Sequence, residues 1–296
     1  MDNIARTVVD KKLYITLDTE MDADIHWRKA EPKSFTSVTI GIPLYLRPIW
    51  DKYNVHPIYY VSPEVVEDDE CCMVLREEIS KGAIIGAHLH PEFIEPDKTW
   101  NGSGATAEFP CYSSDKTIER KKISNLKQLI ENRLGVTPVW YRAGRFGADR
   151  DTWESLAELG FKYDSSVTPG IDWSQAGGPD YTEYTADSGY VADERIKELP
   201  ITIAGKRCGA LGRLLPDKWL YYRWLRPSHM TLAEEKRLID ELLYSNINEI
   251  VMMFHSMEIM INKTPFVRNR LMQNLYLHRL RKTIEYAQKK GFRTDV

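Results

Sequence analysis

Residues 83–91 read Ala-Ile-Ile-Gly-Ala-His-Leu-His-Pro, an apolar run that ends in two histidines one residue apart. A run this short, bounded by Gly82 and Pro91, is expected to be a buried strand and not a helix. Alternate side chains of a strand share a face, so His88 and His90 would project to the same side, within reach of one metal ion. Pro91 has no amide hydrogen to continue the ladder and ends it. Alone, a His-x-His pair arises easily by chance. Its meaning depends on what other segments bring to the same place.

Working outward, similar short apolar runs rich in Val, Ile, Tyr and Phe occupy 13–17, 57–61, 139–142, 162–165, 196–203 and 249–254. Helical stretches lie between them. Residues 70–80 precede Gly82, 115–134 precede Gly135, and 152–159 precede Gly160, with Asp151 and Glu154 in a capping-box arrangement. Thr231 and Glu234 repeat that start signal before 232–244, and a basic amphipathic stretch, 269–290, closes the chain before Gly291. The crossover 37–53 carries Pro43 and Pro48, which weakens its helical signal. Strands alternating with helices predict a parallel sheet with helical crossovers. About seven such units suit an α/β incomplete (β/α) barrel of about seven parallel strands, forming one domain over 1–296. An open doubly wound sheet would want Gly-x-Gly-x-x-Gly after an early strand, and none is present.

Composition narrows the function classes. The chain has 296 residues, 43% hydrophobic and 28% charged, with a formal net charge of −3. That balance is ordinary for a globular protein and argues against a nucleic-acid partner. The first residues, MDNIARTVVDKK, hold no apolar core of a secretory signal, and no run is long enough to span a bilayer, so a cytoplasmic location is expected. The cysteines at 71, 72, 111 and 208 form no Cys-x-x-Cys and read as reduced packing residues.

A parallel barrel carries its chemistry at the carboxyl ends of its strands. The runs here end in Leu17-Asp18-Thr19-Glu20, in His88 and His90, in Tyr141-Arg142-Ala143-Gly144-Arg145, in Asp164-Ser165-Ser166, and in His255-Ser256-Met257-Glu258. Each has a plainer reading taken singly. Asp18 and Glu20 could be solvated loop carboxylates, His255 a satisfied core histidine, Arg142 the partner of a core carboxylate, and Asp164 a turn former. Converging on one mouth, they read as a metal-assisted hydrolase. Two neutral imidazoles and a carboxylate suit a divalent ion, zinc above all, with cobalt, manganese and nickel as alternatives. A second carboxylate can act as general base on a metal-bound water, an adjacent arginine keeps it ionised, and a separate histidine can protonate the leaving group.

In type and order these residues resemble the polysaccharide deacetylases, the NodB-homology group or carbohydrate esterase family four, over roughly 13–255. The resemblance implies an incomplete (β/α) barrel that removes N- or O-acetyl groups from sugars with a divalent metal. That family's first motif ends a strand in Asp-Asp, base then metal ligand. Asp18 matches the base, Thr19 takes the second position, and Glu20 is the nearby carboxylate able to replace it. The family's His-x-x-x-His-Pro resembles His88-Leu89-His90-Pro91, so the implied metal shell is Glu20, His88 and His90. Its Arg-x-Pro-x-Gly pattern resembles Arg142-Ala143-Gly144-Arg145-Phe146-Gly147, which makes Arg142 the charge-tuning arginine. Its final apolar run ending in histidine makes His255 the acid. Arg145, Asp164, Trp173 and Glu258 are the implied substrate-side residues. The shortened histidine spacing and Thr19 both fall on the metal shell but leave two imidazoles and two carboxylates, which implies a remodelled site. The Asp-x-Glu, His-x-His-Pro and Phe-His-Ser-x-Glu pattern resembles a divergent subgroup typified by the WalW protein, linked to bacterial surface-polysaccharide synthesis.

Residues 205–227 interleave Lys206, Arg207, Arg213, Lys218, Arg223 and Arg226 with Trp219, Tyr221, Tyr222 and Trp224. This suits sugar stacking and a pyrophosphate or an anionic leaflet, or equally a basic crossover with half-buried aromatics. The expected partner is an acetylated saccharide or a lipid-linked glycan precursor, with peripheral membrane contact through 205–227. Two other readings stay open: a glycan-binding protein that kept the barrel and lost its chemistry, and a hydrolase of another amide such as a formyl group.

Overall fold

A computed structural model describes residues 10–100, 103–104, 115–205 and 221–295. Its strands are β1 (Lys11–Thr19), β2 (Lys29–Ala30), β3 (Ile58–Val61), β4 (Ile84–Leu89), β5 (Ser103–Gly104), β6 (Trp140–Ala143), β7 (Tyr163–Asp164), β8 (Gly189–Val191), β9 (Ile196–Glu198), β10 (Ile203–Ala204), β11 (Arg223–Trp224), β12 (Glu249–His255) and β13 (Phe292–Arg293). The α-helices are α1 (Arg47–Tyr53), α2 (Pro63–Glu67), α3 (Asp69–Ser80), α4 (Lys116–Leu134), α5 (Arg150–Glu158), α6 (Leu232–Tyr244) and α7 (Arg270–Lys289).

Seven parallel strands run in the order β12-β1-β3-β4-β6-β7-β9, with β13 beside the start of β1 and antiparallel β8 at the far edge. The sheet curls until β9 approaches β12. The seam is held by scattered contacts instead of a ladder among the described residues. Val251 N–H donates to Thr202 Oγ1 at 2.7 Å, Met253 N–H to Leu225 O at 3.3 Å, and Lys197 meets Glu249 at 2.6 Å. This is the expected incomplete barrel.

The period of two along each strand divides the core. Tyr14, Ile58, Tyr60, Trp140, Val251 and Met253 pack together inside the curl. Their neighbours Leu13, Ile15, Tyr59, Ile85, Tyr141 and Met252 pack beneath the helices. The inward set continues, at the carboxyl ends, into Asp18, His88, Arg142 and His255. Register keeps those ends level, pairing Asp18 with His255 and His88 with Arg142. Gly86 makes room in the inner layer, since a Cβ there would lie 2.5 Å from the Tyr60 ring.

Several local expectations shift. β4 extends to Leu89, so His88 lies inside the strand. The stretch 196–203 is two strands, because Pro200 interrupts it and Ile203–Ala204 turns to pair with β11. The cap of α5 is Asp149, not Asp151: its carboxylate accepts from Thr152 N–H at 2.9 Å, and Thr152 Oγ1 accepts from Asp149 N–H at 3.2 Å. The crossover 37–53 is helical after all. Ser37–Leu46 is wound in wide π-type turns that accommodate Pro43, and Pro48 sits in the first turn of α1, where a missing amide hydrogen costs nothing. Cys71 and Cys72 are buried and unbridged, while Cys111 and Cys208 lie outside the described residues. No described helix is long and apolar enough to cross a membrane.

One buried carboxyl makes the packing of α6 on α7 sensitive to pH. Glu235 is fully buried, and burial pushes its pKa up to about 7 despite a hydrogen bond from Thr283. The folded chain therefore holds a proton that the unfolded chain releases near its ordinary value of 4.5. The stabilisation is complete below that value and is lost as pH rises through 7. Glu235→Gln is expected to gain about 3 kcal/mol over the parent between pH 4 and pH 8. Denaturant unfolding at the two pH values checks this, and an equal effect at both would contradict it.

Candidate active site

Two short extensions complete the ring of strand ends. Glu20 follows β1 by one residue, and His90 follows β4 by one residue, before Pro91 starts a single turn of 3-10 helix. Glu20 Oε1 lies 3.1 Å from His88 Nε2 and 3.3 Å from His90 Nε2, and the two Nε2 atoms are 3.2 Å apart. A tetrahedral zinc ion with bonds of about 2.0–2.1 Å sets its ligand atoms roughly 3.3–3.4 Å apart, close to the edges of this triangle. His88 Nδ1 is 2.9 Å from the Arg142 carbonyl oxygen, which can only accept. Nδ1 therefore carries the proton and Nε2 presents its lone pair to the triangle. On this geometry and donor chemistry the three residues fit a divalent ion.

The other Glu20 oxygen, Oε2, is bound by Lys29 Nζ at 2.7 Å. Burial opposes ionisation of Glu20, but Lys29 and the two histidines outweigh it and hold the carboxyl well below the ordinary range. Behind His90, Nδ1 is 3.4 Å from Glu92 Oε1, which accepts from Arg145 at 2.7 Å.

Asp18 is held differently. Arg142, fully buried, donates NH1 to Asp18 Oδ1 at 2.6 Å, NH2 to Thr16 Oγ1 at 3.0 Å and to Ser165 Oγ at 2.9 Å, and Nε to Ser165 O at 2.9 Å. Its guanidinium also lies 4.2 Å over the Tyr60 ring. Burial would raise the Asp18 pKa; Arg142 and the nearby histidines reverse that and lower it. Asp18 Oδ2 stands 4.0 Å from His88 Nε2 and 3.9 Å from His255 Nε2. The far nitrogen of His255, Nδ1, is 3.2 Å from Glu258 Oε1, which also accepts from the His255 backbone N–H at 2.8 Å and from Arg226 Nε at 3.0 Å. Burial works against the Glu258 charge, and Arg226 and His255 together hold its pKa well below the ordinary range.

These groups open on a cavity of about 250 Å³, walled by Trp27, Trp100, Phe146 and Met257. Asp18, Glu20, His88, His90, His255 and Arg145 all reach it. Asp164, Glu258 and Trp173, expected on the substrate side, do not line it. Strand parity explains Asp164. In register it pairs with Tyr141, on the helix-facing side, while Tyr163 stacks inward on Trp140 at 4.0 Å. Its carboxylate accepts instead from Trp153 Nε1 at 2.7 Å and Ser166 Oγ at 2.6 Å. Glu258 is carried back beneath His255 by the turn Ser256–Ile259 and is fully buried. Trp173 stacks outside Phe146 at 6.2 Å, its Nε1 donating to Thr168 Oγ1.

Trp27, Lys29, Glu92 and Arg226 were not legible as site residues. Glu92 next to Pro91 and Arg226 in a basic run gave weak hints; Lys29, in the loop after Glu20, gave none. Most of 205–227 lies outside the described residues, which resume at 221. Arg223 and Arg226, expected to dock phosphate or membrane, are instead buried in pairs with Glu241 and Glu258.

No protein-family model matches the sequence, and no curated protein matches it. Solved structures do match the fold. A Mycobacterium smegmatis protein classed as a polysaccharide deacetylase superposes with a TM-score of 0.51 at 19% identity, over 94% of this chain and 84% of that one. A family 4 carbohydrate esterase from Streptomyces lividans, in complex with acetate, gives 0.48 at 10% identity, over 95% and 90%. A polysaccharide deacetylase from Bacillus cereus gives 0.46 at 13% identity, over 96% and 90%. At such identities the likeness is one of fold, and the first of the three carries it.

Proposed function

We propose that this protein is a metal-dependent hydrolase that removes an acetyl or similar acyl group from a sugar. The observation that carries this reading is the division of labour at the barrel mouth: Glu20 Oε1, His88 Nε2 and His90 Nε2 make one ligand face, and Asp18 stands apart from it, held by Arg142. The fold shared with the mycobacterial protein supports it. The strand-end pattern Asp-x-Glu, His-x-His-Pro and Phe-His-Ser-x-Glu further suggests a bacterial surface-glycan precursor as the substrate.

Glu20, His88 and His90 would hold the ion, zinc ahead of cobalt, manganese or nickel, and the bound ion would supply an acidified water and a polarised acyl carbonyl. Asp18, kept ionised by Arg142, takes the water's proton on Oδ2. His255 presents Nε2 to the leaving amine or alkoxide and donates its proton there, its Nδ1 held between Glu258 Oε1 at 3.2 Å and Arg226 at 3.1 Å. The aromatic wall offers faces on which the sugar ring can stack.

Chelation followed by reloading with each of the four metals tests the reading, with metal stoichiometry and acetate release from a panel of acetylated sugars as readouts. One ion per chain and chelator-sensitive release are expected. Saccharide binding with neither metal nor release would point to a glycan-binding protein instead.

A further inference from the structure

We propose, building on the hydrolase reading, that the pocket takes one acylated sugar unit end-on, a chain terminus or a free monosaccharide derivative, and excludes the interior of a polymer. β1 and β4 are separated in the sheet by β3, yet the loops that leave them are stitched together: Lys29–Ala30 pairs antiparallel with Ser103–Gly104. These are the loops that follow Glu20 and His90. The stitch is tied to the site itself, because Lys29 bridges Glu20 Oε2 at 2.7 Å and Glu64 Oε1 at 3.5 Å. A groove for a running polymer would have to cross this wall.

A tryptophan stands on each stitched loop. Trp27 is held in the left-handed region, φ +62°, by a tight turn in which Asp24 Oδ1 accepts from His26 N–H at 2.8 Å and Arg28 N–H at 3.0 Å. Arg28 clamps the other Asp24 oxygen at 2.8 Å. The turn fixes the Trp27 ring edge-on to His255, 5.1 Å between centroids, beside the expected acid. A non-glycine residue in that conformation is strained, and such strain persists only where surrounding contacts enforce it. Trp100, on the other loop, packs on Phe93 at 4.9 Å and lines the cavity. Its indole Nε1–H is buried with no acceptor among the described residues. A buried donor of this kind is costly unless a ligand meets it, and the carbonyl or a hydroxyl of an acylated sugar would. Among the described residues the Lys and Arg that line the cavity, Lys29 and Arg145, each pair with a carboxylate, so the pocket suits a neutral ring. The cavity of about 250 Å³ has room for a sugar ring.

Calorimetry on the zinc-loaded Asp18→Asn protein tests this, with N-acetylglucosamine, N-acetylgalactosamine, N-acetylmannosamine and the β1,4-linked N-acetylglucosamine tetramer as probes. At least one monosaccharide should bind, and N-acetylglucosamine and its tetramer should bind within about threefold of each other, because added rings find no subsites. Trp100→Phe, which keeps the ring and loses the donor, should weaken monosaccharide binding about tenfold. A tetramer more than about tenfold tighter than the monomer, an unaltered Trp100→Phe, or no binding of any probe would overturn the inference. Mass spectrometry of tetramer treated with the unsubstituted protein separates the two readings. Acetyl loss from internal units overturns the end-on pocket and leaves the hydrolase standing. Monosaccharide-selective binding without any acetyl release does the reverse.

Discussion

His88→Ala is expected to lose metal and acyl release together, while His255→Ala loses release and keeps the metal. The two histidines stand on the same mouth but face different work. His88 is one corner of a triangle of donor atoms 3.1–3.3 Å apart, its tautomer set by the Arg142 carbonyl. Removing it deletes a ligand, and an effect larger than the roughly 10–100-fold loss of affinity seen for outer-shell partners is expected. His255 Nε2 is 3.6 Å from Glu20 Oε1, outside that triangle, and its other nitrogen is held by Glu258 and Arg226. Its loss should cost general-acid catalysis, on the order of 10²–10⁴ in rate, with metal content unchanged. Metal analysis and acetate release on purified variants decide the matter. If both variants behave alike, the separate roles are wrong.

Arg142→Met is expected to be the most destabilising single change at the site. The guanidinium is fully buried and bonds Asp18, Thr16 and Ser165, so its removal strands a buried Asp18 carboxylate. Breaking one side of such a pair costs roughly 3–5 kcal/mol. The sign with pH follows from the lowered Asp18 pKa. In the parent, the pair's stabilisation is present above the ordinary aspartate range and fades as pH falls through the lowered value. In the variant the shift reverses, burial raises the carboxyl, and stability falls as pH rises through it. Adding Asp18→Asn should restore much of the loss. Denaturant unfolding of the parent, both single variants and the double variant measures the coupling; a value below about 0.5 kcal/mol would mean that the two side chains act independently.

The parts of the site that were legible in the sequence share one property: each follows from a rule that acts within a few residues. Period two along a strand sends His88 and His90 to one side, and the rule that barrel chemistry sits at strand carboxyl ends gathers Asp18, Glu20, Arg142 and His255. Failures came where a longer-range register decided. Asp164 ends an apolar run just as Arg142 does, but its pairing with Tyr141 turns it toward the helices. Glu258 follows His255 closely, and the turn between them folds it underneath. At the start of α5 the sequence pattern pointed to Asp151, and the helix is capped two residues earlier, by Asp149.

The sequence by itself determined the barrel and the types of residue around its mouth, because alternation, caps and strand-ending prolines are written in neighbouring positions. Only the tertiary structure decided what holds those residues in place: Glu20 Oε2 is drawn onto Lys29 and Asp18 Oδ1 onto Arg142. It also joined residues 29–30 to 103–104. Those choices depend on which loops meet across the sheet, and no local period in the chain encodes that.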